Sequence, residues 1–488
     1  MKKGLILLLS AAGLLAPGIS LAQTPATVLS EPVPSAPAPQ NASTPGNANL
    51  PSPAASSSVQ SSSAQSSSRD ETSPGAPTPL SLKDAEVLAL KNNPQISVAR
   101  LLALASHQVT REARSNLWPT AVGNITGVDA EAGSRITAGM INNPSVYERA
   151  AAGLMVTQLI TDFGRTTNLI SSANYAEKAE NQNAAATKQQ ILLAVNQAFF
   201  NALQAQAVLT VAEQTVKERQ TVADQIGALY KSKLKSELDF SFANVNLAQA
   251  QLLLLDAENN QNAVLATLSM VLGFPTQQNF QPVEEPGATA PPVGNVDDLT
   301  ALAFTMRPEI LSLQFQYESA KKFQTAERDL LLPSLQAMGG VGVTPVGNSV
   351  VAPNANAFNN TYGVVGANLE IPLFNGFLFS ARAKEASLKA QATDERLRDM
   401  RDLISRDVRL SWLNANTAYQ RLAVTQQLLD QAKLGLSLAQ SRYNLGLASI
   451  VELSQAQLQE TQAEITNVGA GYDYRLALAV LQYQTKGI

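Results

Sequence analysis

A heptad pattern of apolar and small side chains runs along two long segments of the chain. In the first segment these positions recur at alternating spacings of four and three residues from Ile191 to Val216, and a matching set runs from Ile404 to Leu429. A sustained heptad pattern indicates a coiled-coil seam. Residues 165–231 contain no proline and only one glycine, Gly227. The pattern therefore predicts a helix of about 100 Å, which is too long for a compact globule.

A second pattern, with a period of two, lies between the predicted helices. Apolar residues alternate with small or polar ones over 334–343, 364–371 and 150–160, and more weakly over 120–128. Strands of about ten residues with one apolar face are typical of outer-membrane barrels, although a half-buried soluble hairpin would show the same alternation. The smallest single-chain barrels have ~8 strands, and open strand edges are not tolerated in lipid. Four strands per chain therefore predict a barrel shared by several chains.

The folded part of the sequence is predicted to consist of one structural unit that occurs twice. Pro94 and Pro308, and likewise Pro119 and Pro333, are separated by 214 residues, while Tyr230 precedes Tyr443 by 213. We predict two structural repeats, 80–281 and 295–488, joined by a connector rich in Pro, Gly and Glu over 282–294. Each repeat is predicted to contain a helix, then a strand pair (about 119–160 and 334–371), a long helix (about 165–231 and 377–444) and a returning helix (about 237–272 and 449–485).

The N-terminal region has the composition of a targeting segment followed by a linker. A short basic start, an apolar run from Gly4 to Leu15 and the small-x-small triplet Ser20-Leu21-Ala22 predict a signal peptide over 1–22 and export from the cytoplasm. Residues 23–79 are rich in Pro, Ser and Ala and carry almost no large apolar side chains. We predict a disordered leader there, because such a segment cannot bury enough apolar area to offset its ordering entropy.

Composition narrows the functional classes. The 488 residues include no cysteine and a single histidine, His107, and only 15% are charged, with a formal net charge of −4. The absence of cysteine excludes disulfides, thiolate metal sites, cysteine nucleophiles and a lipid-modified N-terminal cysteine. A near-neutral chain offers no electrostatic attraction to nucleic acid. We predict no catalytic, cofactor-binding or metal-binding residues, and hence a protein that is not an enzyme.

Three motifs stand out beside the duplicated element order. They are Leu159-Ile160-Thr161-Asp162-Phe163-Gly164-Arg165, Ile371-Pro372-Leu373-Phe374-Asn375-Gly376, and Arg442-Tyr443-Asn444-Leu445-Gly446-Leu447 with Ile450-Val451-Glu452. With these motifs and this order of elements, the chain resembles the TolC family of outer-membrane efflux ducts. The resemblance implies an all-α coiled coil combined with a membrane β-barrel. In that arrangement a homotrimer shares a 12-stranded outer-membrane barrel, with four strands per chain, that continues as a long α-helical barrel through the periplasm. It also implies a passive exit duct in outer-membrane lipid, fed by an inner-membrane pump and a periplasmic adaptor in a tripartite efflux or type I secretion system. The alternative is a trimeric coiled-coil surface protein, such as an adhesin-like stalk.

The same resemblance implies a gate at the periplasmic end, formed by Asp239, Tyr443 and Glu452. Asp239 and Glu452 occupy matching positions, 213 residues apart. In the family an aspartate at the place of Asp239 holds a tyrosine at the place of Tyr443, and acidic rings in a narrow bore attract cations. The basic partner that the family would place at 448 is replaced by Ala448. The alternative is that both carboxylates are ordinary helix N-terminal residues favoured by the helix dipole.

The turns between the long and the returning helices are the predicted adaptor contacts. The resemblance assigns this role to Lys233, Leu234, Leu445, Gly446 and Leu447. Lys233 stands where the second turn has Gly446, and it is flanked by Lys231 and Lys235. The three lysines form either a solvated turn or a feature that matches the charge of a particular adaptor.

Overall fold

The order of elements is the same in the two halves of the chain: two helices, two strands, then two helices. A pair of short strands, β1 and β4, stands outside this order. In the computed structural model the elements are β1 Thr78–Leu80, α1 Leu82–Asn92, α2 Pro94–Ser115, β2 Thr120–Val128, β3 Arg149–Thr161, α3 Arg165–Lys231, α4 Glu237–Val271, β4 Phe280–Pro282, α5 Val296–Met306, α6 Pro308–Arg328, β5 Ser334–Gly347, β6 Thr361–Glu370, α7 Leu378–Asn444 and α8 Ile450–Thr485, with a 3-10 turn at Asp329–Leu331.

The structure describes residues 78–129, 149–284, 291–292, 294–347 and 361–487. All of them belong to one of the two units into which the chain divides, residues 72–488. The predicted signal peptide 1–22 and residues 23–77 of the predicted leader lie outside the described residues. Residues 285–290 and 293 of the predicted connector lie outside them as well.

Helix boundaries follow local chemistry. Asn93 is extended because it precedes Pro94, and its side-chain oxygen accepts a hydrogen bond from the backbone N–H of Gln95 at 2.9 Å. Arg307 is extended before Pro308 in the same way at the start of α6. The proline thus ends one helix and occupies the first position of the next, where its missing N–H costs nothing.

The long helices α3 and α7 each contain 67 residues and form antiparallel hairpins with α4 and α8. Most heptad positions are buried, with Val195 and Val408 fully enclosed, while Leu209, Val216, Ala418 and Leu422 are half-buried. Small seam residues such as Ala202 and Ala415 allow close backbone approach. Each half buries its seam against its own short helix, α1 in the first core cluster and α5 in the second.

The four larger strands form one sheet in the order β2-β3-β5-β6, and every neighbouring pair is antiparallel. The pairing of β3 with β5 joins the two halves of the chain. Register places Leu154 opposite Val341, and Leu335 opposite Leu369. Because side chains alternate between faces, this register places Ile125, Leu154, Val341 and Val365 of the four strands on one side.

Strand β1 corrects the predicted end of the leader. Thr78–Leu80 pairs in parallel with Phe280–Pro282, so the leader predicted over 23–79 overlaps an ordered strand. Leu80 is only 3% exposed and belongs to the core cluster around α1, α3 and α4. This strand could not be predicted from the sequence, because it has only three residues, includes Pro79 and shows no periodicity.

Candidate functional site: the open sheet and the hairpin ends

The sheet has one apolar face that the described chain leaves uncovered. Ile125 is 91% exposed and Val365 is 92% exposed, which is unusual for β-branched apolar residues. In the described part of the chain the outer edges of β2 and β6 have no strand partner. The apolar face is formed by Ile125, Leu154, Val156, Leu335, Ala337, Val341, Val343, Val365, Ala367 and Leu369.

The opposite face mixes small, polar and apolar side chains, including Val122, Met155 and Val364, and Tyr362 packs across it. Tyr362 lies directly opposite Gly342 on β5. A Cβ atom at Gly342 would overlap the Tyr362 ring, and one at Gly153 would stand 2.8 Å from its hydroxyl oxygen. The two glycines therefore make room for this aromatic ring.

The two hairpin ends share one backbone design. We call residues 231–239 the first hairpin end and residues 444–452 the second; they are separated by 213 residues. In each, a left-handed residue, Lys233 (φ 62°) or Gly446 (φ 74°), follows the long helix. The N–H groups of Lys233 and Leu234 bond the carbonyls of Tyr230 and Leu229 at 2.8 and 2.9 Å. The N–H groups of Gly446 and Leu447 bond the carbonyls of Tyr443 and Arg442 at 3.1 and 2.8 Å.

This arrangement is a Schellman motif, which normally uses glycine at the left-handed position. Gly446 meets that preference. Lys233 occupies the same position with a Cβ atom, which costs roughly 1 kcal/mol relative to glycine. The first hairpin end thus carries a charged side chain at a position where the left-handed backbone favours glycine.

Tyr443 is enclosed between the two hairpins. It is 6% exposed and packs in a cluster with Ala223, Ile226, Ala243 and Leu453. The Lys235 ammonium lies 3.8 Å from the centre of its ring. Among the described residues, its hydroxyl has no hydrogen-bond partner.

Asp239 lies near Tyr443 without bonding it. Burial, and secondarily the Asp239 charge, raises the pKa of Tyr443 to about 12. The Asp239 carboxylate is instead engaged by Ser236, accepting from its hydroxyl at 2.7 Å and from its N–H at 3.1 Å. The structure therefore does not form the expected Tyr443–Asp239 hydrogen bond within one chain.

Both predicted gate carboxylates stand at the third position of a returning helix. Asp239 forms a reciprocal capping box with Ser236, and the N–H of Glu452 donates to the Ser449 hydroxyl at 3.3 Å. Both positions have the geometry of helix N-terminal carboxylates, the alternative that the sequence left open. Glu452 also pairs with Arg442 at 3.3 Å, a contact that the sequence analysis missed. Ala448, where a basic partner was expected, packs against the Tyr443 cluster.

The leucines assigned to adaptor contact are all exposed. Leu234, Leu445 and Leu447 are 72%, 74% and 68% exposed. Lys233 and Gly446 are exposed beside them. The structure thus brings apolar side chains to both hairpin ends with no covering partner from the described chain.

A buried cation above the hairpin ends was also missed. Arg219 is 5% exposed and donates to the Gln457 carbonyl at 3.0 Å and to the Thr461 hydroxyl at 3.1 Å. Burial lowers the pKa of Arg219, while burial and the nearby Glu464 and Glu218 raise that of Glu460. The signal was present, since Arg219 continues the heptad seam three residues after Val216.

The described residues lack two kinds of feature. They contain no cluster of three or more His, Asp or Glu side chains that could hold a metal ion. None of their helices has an apolar stretch long enough to cross a bilayer.

The fold first defines a class. Helices of 67 residues paired into hairpins and joined to a four-stranded open sheet match solved outer-membrane channel folds. The outer-membrane channel OprN superimposes with a TM-score of 0.72 over 83% of this chain and 90% of that chain, at 16% identity.

The sequence then defines the family. Residues 87–274 and 299–483 match the outer membrane efflux protein family, and the chain belongs to it. It is 22% identical over 382 residues to the probable outer membrane lipoprotein SilC of Salmonella typhimurium, covering 76% of this chain and 77% of that protein. It is 24% identical over 404 residues to the outer membrane protein TolC of Vibrio cholerae, covering 81% and 88%. The resemblance to the TolC family is confirmed.

Proposed function

We propose that this protein is the outer-membrane exit duct of a tripartite efflux or type I secretion system. Three copies share a 12-stranded barrel in the outer membrane, and their helices form a tunnel through the periplasm. Substrates delivered by an inner-membrane pump and a periplasmic adaptor pass through it without chemical change. Family membership and the outer-membrane relatives support this proposal.

The open sheet is the observation that carries the proposal. It presents a continuous apolar face and leaves the edges of β2 and β6 unpaired within the described residues. Lipid tolerates neither unpaired edge, because every backbone polar group there requires a partner inside the protein. Pairing β6 of one copy with β2 of the next would close the sheet and bury both edges. An adhesin-like stalk explains this sheet less well, because each half places its strands between helices.

The gate and the adaptor turns remain parts of the proposal. Asp239, Tyr443 and Glu452 would line the periplasmic end of the bore, and the exposed leucines of both hairpin ends would meet the adaptor. The unbonded Tyr443 hydroxyl supports this, since a buried hydroxyl without a partner costs about 1–3 kcal/mol. A neighbouring copy can supply the missing acceptor.

The test measures oligomeric state and conductance of the full chain in mild detergent and planar bilayers. We expect a trimer by sedimentation and discrete channels in bilayers. The variant Val365→Arg places a charge on the apolar face and should abolish insertion, since arginine near the bilayer midplane costs about 2–4 kcal/mol. The matched control Asn368→Arg, on the opposite face of the same strand, should still insert. A monomer that conducts ions, or equal insertion of both variants, would refute the proposal.

A further inference from the structure

We propose that the first hairpin end is a docking surface selective for an acidic protein segment, whereas the second hairpin end docks without charge selection. This inference rests on the proposed function, because it specifies the chemistry of the partner that meets the hairpin ends. The feature that carries it is the contrast between two ends with the same backbone geometry.

The contrast lies in charge and not in conformation. Residues 231–235 include three lysines, while the matching residues 444–448 carry no charged side chain. The Schellman hydrogen bonds and the exposed leucine that follows the left-handed residue are the same at both ends. A partner that recognised only the backbone shape would therefore bind equally well to both ends.

Two of the three lysines at the first end form no ion pair within the described chain. In the described part of the chain, neither Lys231 nor Lys233 lies within ion-pair distance of a carboxylate, and both are exposed. Lys235 differs, because its ammonium is held over the Tyr443 ring. Two cations thus remain free beside the exposed Leu234.

Lys233 adds a second argument. Its left-handed backbone would be relaxed by glycine, as at Gly446, so the lysine stands there against the local backbone preference. A surface that combines free cations with an exposed leucine complements carboxylates beside a small apolar side chain. We assign the occupant as an acidic turn of the partner that the proposed function places at the hairpin ends, because its carboxylates would complement the two unpaired lysines.

The test uses the full-length protein in detergent and three synthetic antiparallel helical hairpins as probes. The probes are identical except for two turn residues, which are both Glu, both Gln or both Lys. At 0.1 M salt we expect the Glu probe to bind about tenfold more tightly than the Lys probe, with the Gln probe between them. The difference should shrink to about twofold at 0.5 M salt, because exposed charges are screened.

Variants locate the selectivity. Lys231→Gln with Lys233→Gln should remove the preference for the Glu probe, and Lys233→Gly alone should weaken it while relaxing the turn. The matched control, Lys91→Gln with Lys384→Gln, removes two exposed lysines elsewhere and should leave the preference unchanged.

Three outcomes would overturn the inference: equal binding of the three probes, binding of none, or a preference that survives the double lysine variant. Lysine-dependent binding to phosphatidylglycerol vesicles in place of the Glu probe would assign the surface to lipid and also overturn it. Conductance of the same preparation separates the two proposals. A conducting trimer without probe selectivity rejects only this inference, whereas a preparation that never conducts rejects the proposed function.

Discussion

The Tyr443 hydroxyl is the residue-scale feature with the clearest consequence for gating. It is buried without a partner among the described residues, so Tyr443→Phe should not lower the thermal stability of the isolated chain. In the proposed trimer the same change would remove a donor to a neighbouring copy. A charge-assisted bond of that kind contributes about 1.5–3 kcal/mol, so the open time of single channels should rise severalfold.

Single-channel recording of Tyr443→Phe beside the wild type provides the measurement, with trimer yield as the control. The variant Tyr419→Phe, in α7 but far from the hairpin end, serves as a matched substitution. Unchanged open time at equal trimer yield would remove Tyr443 from the gate.

The pair formed by Arg442 and Glu452 gives a second residue-scale prediction. The two side chains are 57% and 43% exposed and stand 3.3 Å apart. Arg442→Gln should free the carboxylate and raise the cation-to-anion permeability ratio, by less than about fivefold because exposed pairs contribute only ~0.2–1 kcal/mol. Glu452→Gln should lower the ratio, measured as reversal potential in a salt gradient. Shifts in the same direction for both variants would place selectivity elsewhere.

Glu460 yields a prediction about pH. Burial and two neighbouring carboxylates raise its pKa above that of an unfolded chain. The protonated form is therefore the one the fold favours, so this residue destabilises the fold as pH rises through its folded pKa. Glu460→Gln should raise the unfolding midpoint by about 1 °C at pH 8 and have less effect near pH 4. The exposed Glu258→Gln is the control, and an equal gain from both variants would contradict the reasoning.

At the scale of elements, the sheet depends on glycines that accommodate Tyr362. Gly342→Ala would place a methyl group into the Tyr362 ring. Gly339→Ala, three residues earlier on the same strand and on its other face, meets only a carbonyl oxygen at 3.8 Å. We expect Gly342→Ala to reduce assembly and lower the temperature at which the oligomer dissociates on semi-native gels. Gly339→Ala should behave like the wild type. Equal behaviour of the two variants would show that the ring moves aside without cost.

The long helices could be predicted from the sequence because the same heptad pattern is repeated many times. Each heptad repeats the same spacing, and no proline interrupts 165–231, so local errors do not shift the prediction. Helix starts at Pro94 and Pro308 were similarly marked, since proline restricts the residue before it. The short strands β1 and β4 offered three residues each and no period, so only the tertiary pairing defines them.

The sequence predicted only part of the candidate sites, because some of their features are local and others depend on tertiary packing. A turn position such as Gly446 can be predicted locally, because glycine favours the left-handed backbone of a helix end. The partners of Glu452 and Arg219 cannot be predicted in this way, because they depend on how two helices pack together. The order of residues within a turn is also not fixed by the repeat: the left-handed pairs before α3 and α7 are Phe163-Gly164 and Gly376-Phe377, so the glycine has changed places within the pair.

At the scale of the whole molecule, the proposed trimer should show heat-labile mobility on gels. The strands of each copy would then be held by pairing of β6 to the neighbouring β2. Cysteines introduced one on each of these edge strands, as Ile125→Cys and Val365→Cys, should form intermolecular disulfides in the trimer, since the chain has no other cysteine. The control pair places one cysteine on each central strand, and intermolecular bonding of that pair alone would contradict the proposed closure.

The two hairpin ends also determine the symmetry that a partner encounters. Three copies would present six ends with one backbone shape, which is near-sixfold symmetry, but their lysines repeat only three times around the axis. A ring of six identical partner subunits would meet two electrostatic environments in alternation. Its six members would bind as three equivalent pairs, and the two members of each pair would have different surroundings. The lysine-bearing ends would set the rotational position of the ring.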